Sequence, residues 1–134
     1  MRRRATVIVV KDGKALLIKG RGQHRWSFPG GRIERGETFA VTAARELYEE
    51  LGLRAARVTR LRDGDFATSQ NQHKAFLVET DDEPHVLERS IDTFTWWDMK
   101  TPVPVFEHVT AVVGAYHRQA HTRRESKRGE ALLT

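Results

Sequence analysis

The chain has 134 residues, no cysteine and a formal net charge of +5 at pH 7. That length gives one domain with interior enough to fold without cross-links, and the missing cysteines exclude disulfides, thiolate zinc sites and a cysteine nucleophile. With 39% hydrophobic and 31% charged residues and no apolar run of membrane-spanning length, a soluble, cytoplasmic single domain over residues 1–134 is expected, with no membrane partner.

The basic excess favours anionic partners. Part of it sits at the ends, in Arg2, Arg3 and Arg4 and in Arg123, Arg124, Lys127 and Arg128. Aromatic residues do not interleave with these charges, so they read as solvated ends, with a charged C-terminal tail from about residue 120 that either continues a helix or runs free.

Ala5 to Val10 is rich in β-branched residues and predicts a strand, paired through the Asp12-Gly13 turn with Ala15 to Ile18. A polar loop, Lys19 to Arg25, leads to a short extended piece, Trp26 to Phe28, and then to Pro29, Gly30 and Gly31. Glu37 to Leu51 has helical periodicity, with Ala40, Ala43, Ala44, Leu47 and Leu51 on one stripe. Thr38 is the expected N-cap and Gly52 the left-handed stop. Arg57 to Leu61 and Lys74 to Glu79 read as strands joined by a long polar loop, and Phe94 to Trp97 as another. Beyond Pro102 and Pro104, Val105, Val109, Val112, Val113 and Tyr116 mark the apolar face of a second helix. Strands alternating with two separate helices predict an α/β fold, a mixed sheet covered on both faces.

The chemistry concentrates on the first helix. Glu46, Glu49 and Glu50 stand at i, i+3 and i+4 and are expected to share one face, roughly opposite the alanine and leucine stripe. Carboxylates so close repel one another and raise one another's pKa, and a divalent cation with oxygen preference relieves that. Arg45 is placed to pair with Glu49 or Glu37 and so to orient carboxylates. Gly30, Gly31 and Gly36 bring bare backbone near the helix. A bare run of Arg45 to Glu50 is, by itself, more often the wet face of a helix than a catalytic motif.

The surrounding pattern is more specific. Gly31, Glu37, Arg45, Glu46, Leu47, Glu49, Glu50, Gly52 and Leu53 fill every fixed position of the Nudix box, and the chain resembles the Nudix hydrolase family in its MutT-like single-domain form. The segment Trp26 to Gly30 and the aromatic pair Phe94 and Trp96 extend the likeness. The resemblance implies an α/β/α sandwich with the box as loop–helix–loop, and hydrolysis of a nucleoside diphosphate linked to another moiety. It implies Mg²⁺ as cofactor, with Mn²⁺ able to substitute, held by Glu46, Glu49, Glu50 and the backbone of Gly30. Glu37 and Arg45 would support those glutamates. Some members add a glutamate outside the box; Glu79, Glu83 and Glu88 are candidates, and Glu88 is preferred.

Substrate class is open at this level. A small-molecule nucleotide is expected, foremost a (d)NTP cleaved to NMP and pyrophosphate. ADP-ribose, nucleotide sugars and dinucleoside polyphosphates are alternatives. An RNA 5′ end is less favoured, because Phe28-Pro29-Gly30-Gly31 lacks the glutamine usual in RNA-end enzymes of the resembling family. A non-catalytic nucleotide-binding module would tend to lose box glutamates, and an isomerase on this fold would need a cysteine. Homodimers occur in the family, and nothing in this sequence requires one. Outside the box, His117 and His121 at i, i+4 read as surface residues without a third metal ligand, Trp96 reads as core, and Phe28 and Phe66 are weaker candidates for a base pocket. Lys19, Arg21 and Arg25 are equally suited to a solvated loop or to phosphate contact.

Overall fold

The computed structural model describes residues 1–133, with side chains described through Glu125. Its order is β1 (Arg2–Ile8), β2 (Val10–Lys11), β3 (Lys14–Gly20), β4 (Gly30–Arg32), α1 (Phe39–Leu51), β5 (Arg57–Arg60), β6 (Phe66–Ala67), β7 (Asn71–Glu79), β8 (Ile91–Trp97) and α2 (Glu107–Leu133). Sheet A runs β4-β1-β7-β5 with β6 added against β7, and sheet B runs β2-β3-β8. The β1–β7 pair is parallel while β4, β5 and β6 pair antiparallel, so sheet A is mixed as expected.

The expected strand Ala5 to Val10 divides instead at Val9. Its first part joins sheet A and only Val10 and Lys11 pair with β3. The Val9 carbonyl still accepts the Leu16 amide at 2.9 Å, so the break changes sheets without stranding that buried group. One sheet was expected and two are found, because β1 gains more by running alongside β7 over its whole length.

Alternation assigns the two faces. Ala5, Val7 and Val9 meet Leu16, Ile18, Phe76 and Val78 under Ala43, Leu47 and Leu51 of α1. Ile8, Ala15, Leu17 and Ala75 turn the other way, to Val109, Val112 and Val113 of α2. The layers are therefore helix, sheets, helix. Trp96 and Trp97 split as adjacent strand residues must, the first toward the α1 core and the second toward the α2 core, where its Nε1–H donates to the Thr101 carbonyl at 2.7 Å. Phe28 is buried in the α2 core, which removes it as a base-pocket candidate. Truncating the fully buried Leu47 to alanine would cost about 2–5 kcal/mol.

Other boundaries move slightly. The expected long loop contains β6, and β7 begins at Asn71. The helix α2 continues to Leu133, the first of the two readings of the charged C-terminal stretch, and the Lys127 and Arg128 side chains lie outside the described residues. His117 and His121 are exposed, the latter 3.5 Å from Glu125. Among the described residues no helix is long and apolar enough to cross a membrane.

Candidate active site

The helix α1 is fixed at both ends by local chemistry. Thr38 Oγ1 accepts the Val41 amide at 3.2 Å as N-cap, worth about 1 kcal/mol. At the other end Gly52 takes φ 70°, the left-handed region, and donates its amide to the Tyr48 carbonyl. Two of the carbonyls left over at that end, those of Glu50 and Leu51, accept the amides of Leu87 and His85 at 2.9 Å each. These two bonds moor the 85–88 segment to the helix, and so carry Glu88 to the box.

Glu46, Glu50 and Glu88 each present a carboxylate oxygen within 4.8 Å of the others. Glu79 and Glu83 lie elsewhere, paired with Arg57 at 3.8 Å and Lys11 at 4.0 Å, so of the three candidates Glu88 is the one beside the box. The expectation of one shared wet face is corrected. Glu50 is 5% exposed and sits on the core flank of α1 with Leu47 and Leu51, while Glu49 is exposed and turned to Arg45. The reason is the helical period: Glu50 follows Leu47 by three residues and borders the apolar stripe, whereas Glu49 lies two residues from Leu47 and cannot.

Burial pushes the Glu50 carboxyl up to about 8, and the charges of Glu46 and Glu88 add to that; the Gly30 amide, donating to Oε1 at 2.9 Å, and Arg4 oppose it. Glu46 is also raised, chiefly by burial, against the pull of Arg45. Gly30 thus reaches the carboxylates through its N–H. Gly31 meets them by lacking a side chain, since a Cβ there would stand 2.2 Å from Glu46 Cδ.

Arg45 orders the rest. Its Nε and Nη2 grip both oxygens of Glu37 at 2.7 and 2.9 Å, and Nη1 reaches Glu46 at 3.0 Å and Glu49 at 3.1 Å. Nη2 also donates to the Arg32 carbonyl at 3.1 Å, tying helix to β4. Glu37, bonded by Arg45 first and by the Glu34 amide, falls to about 2 and stays ionised. Both partners named from the sequence are therefore in place, with the Arg32 carbonyl and Glu34 as additions that no side-chain spacing announces. Of the basic loop, Lys19 lies over the Trp26 ring at 4.8 Å, Arg25 over Phe106 at 5.8 Å, and Arg21 donates to the Arg89 carbonyl beside Glu88. Phe66 is stacked between His73 and His108 at 4.2 and 4.7 Å.

Three hard oxygen donors around a common point, with a buried carboxyl that is uncomfortable as an anion, make a donor set suited to a divalent cation such as Mg²⁺ or Mn²⁺. A box helix carrying these groups on this sandwich defines a class. The NUDIX domain family matches residues 1–112, and the chain belongs to that family. Among solved structures it is similar to a protein assigned to the nudix hydrolase family from Chromobacterium violaceum, with TM-score 0.78, 27% identity, and coverage of 99% of this chain and 91% of that one. It is also similar to a MutT NUDIX hydrolase from Burkholderia pseudomallei, with TM-score 0.70, 25% identity, and coverage of 86% and 95%. In sequence it is 46% identical over 65 residues to an RNA pyrophosphohydrolase of Aeromonas hydrophila, covering 48% of this chain but 34% of that protein. The matched stretch spans about a third of the length of that relative.

Proposed function

We propose that this chain is a divalent-metal-dependent pyrophosphohydrolase that cleaves a phosphoanhydride bond in the 5′-polyphosphate of a nucleotide. The carrying observation is the convergence of Glu46, Glu50 and Glu88 within 4.8 Å beside the glycines of β4. In this reading these three carboxylates hold Mg²⁺, or Mn²⁺ in its place. When bound, the ion neutralises polyphosphate charge and lowers the pKa of a coordinated water.

The chain's own groups do the rest. Glu50 is anchored by the Gly30 amide, so one oxygen is fixed and the other is left for the ion. Arg45 keeps Glu46 oriented, and Glu37 keeps Arg45 from collapsing onto the trio. Glu49 stands next to the trio but outside it, and is the box carboxylate left to take a proton from the attacking water. Positioning and electrostatics of this kind are what phosphoryl-type transfer mainly requires.

A free (d)NTP giving NMP and pyrophosphate is the first substrate reading. An RNA 5′ end is the second, and it is favoured by the RNA pyrophosphohydrolase relative and the net charge of +5. Pyrophosphate release with Mg²⁺, measured on free nucleoside triphosphates and on a 5′-triphosphorylated oligonucleotide, with Glu50→Gln as control, separates the two. Release from neither substrate, or equal release by the control, would overturn the proposal.

A further inference from the structure

We infer that the cavity between α2 and the β5 edge of sheet A binds a small amphipathic anion, an apolar ring or short chain carrying a phosphate or carboxylate head. The cavity measures about 430 Å³, within the range of roughly 300–1,000 Å³ that small-molecule sites occupy. Val10, Leu61 and Leu77 supply an apolar floor, Tyr116 an aromatic wall, and Arg123 and Arg124 stand at the rim. Its floor and wall belong to the α2 core, on the face of the sheets opposite the glutamates of α1. The inference is therefore independent of the proposed hydrolysis.

Charge complementarity chooses the occupant. Among the described residues neither Arg123 nor Arg124 pairs with an acid; Glu125, next in sequence, lies 3.5 Å from His121. The one acid in the lining, Glu79, faces Arg57 at 3.8 Å. Two guanidiniums with no acid paired to them among the described residues, over an apolar floor, ask for an anion with an apolar body, since guanidinium recognises phosphate and carboxylate through directed N–H groups. The shape is held by Gln119, whose Oε1 accepts the Arg62 amide at 2.8 Å and whose Nε2 donates to the Arg60 carbonyl at 3.1 Å. Those two hydrogen bonds between the helix and the end of β5 hold the walls at a fixed spacing.

A nucleoside monophosphate and a medium-chain fatty acid share this chemistry, and calorimetry on the full chain distinguishes them. AMP, decanoate and inorganic phosphate are titrated into the native protein and into Glu46→Gln/Glu50→Gln. One of the first two should bind one-to-one in both proteins, while phosphate alone does not. Arg123→Glu/Arg124→Glu should weaken binding about tenfold or more, and Arg123→Lys/Arg124→Lys should retain most of it. Ala120→Trp, which fills the cavity, should abolish binding with the circular dichroism unchanged. Absence of binding by both AMP and decanoate overturns the inference. So does binding that survives charge reversal at Arg123 and Arg124, or that is lost only in the glutamine variant. Pyrophosphate release from a free nucleoside triphosphate should not change in Arg123→Glu/Arg124→Glu, so a failure here is separate from a failure of the hydrolase proposal.

Discussion

The Gly30 amide donates to Glu50 Oε1 at 2.9 Å, joining β4 to α1 at the most buried carboxylate of the box. The bond holds the side chain in place, yet it does not offset the cost of burying the charge, and the carboxyl is left up near 8. The folded protein without metal therefore holds a proton that the unfolded chain releases near 4.5.

The sign of the resulting pH dependence is fixed. Between about 4.5 and 8 the folded state binds more protons than the unfolded one, so metal-free stability falls as pH rises through that window. Glu50→Gln should flatten the slope, and Mg²⁺ should flatten it as well by favouring the anion. Denaturant melts at pH 5, 6.5 and 8, with and without EDTA, test this; a native protein whose chelated stability rises steadily across the window contradicts it.

Loss of the trio should remove turnover without removing the fold. Glu46→Gln and Glu50→Gln are each expected to lower pyrophosphate release about 10²–10⁴-fold, with circular dichroism unchanged. Mn²⁺ affinity, read by calorimetry, should fall in parallel.

The two glycines of β4 should fail in different ways. At Gly31 a methyl group would strike the Glu46 carboxyl, a movable group, so Gly31→Ala should keep the melting point nearly intact and lose about 10²-fold in turnover. At Gly30 the φ is 154° and a Cβ would stand 2.2 Å from the Ala5 carbonyl oxygen, which is backbone. Gly30→Ala should therefore cost about 1–3 kcal/mol of stability, measurable by urea denaturation.

Arg45→Lys is expected to fold and to lose about 10–100-fold in activity or metal affinity. An ammonium cannot grip both oxygens of Glu37 while reaching Glu46 and the Arg32 carbonyl. Recovery of full activity by the lysine variant would show that charge alone suffices.

His73 offers an acid-side test away from the carboxylates. Burial, then Arg4 and His108, depress it to about 4. Below its ordinary 6.5 the unfolded chain takes up a proton that the folded one refuses, so stability is lost as pH falls from about 6.5 toward 4. His73→Gln should remove that part of the acid slope. The Glu37 contribution, lost between 4.5 and about 2, should persist.

Features that depend on near neighbours were readable in the sequence. The Thr38 cap, the Gly52 stop and the Glu37–Arg45 pair are set by spacing within a few helical turns. The division at Val9 was not, because it reflects pairing with β7, whose register is decided by tertiary packing rather than by the β-branched run itself. The arrival of Glu88 was legible as a preference only, since it depends on the Leu87 and His85 amides finding open carbonyls at a helix end. Glu49 and Glu50 were placed together because both follow Glu46 at helical spacing, and a single residue of rotation separates solvent from core.

The parallel pairing of β1 with β7 has a consequence for how the chain is made. Register runs from Arg2 beside Asn71 to Ile8 beside Leu77, so the central strands of sheet A meet only after a long stretch of polypeptide has been synthesised. The box helix leaves the ribosome after β1 and β3 but before β7, which completes the surface it rests on, and Glu88 comes later still. A nascent chain stopped short of β7 would carry the full box motif as an amphipathic segment whose leucines lack the Phe76 and Val78 part of their cover, in need of shielding until that strand emerges.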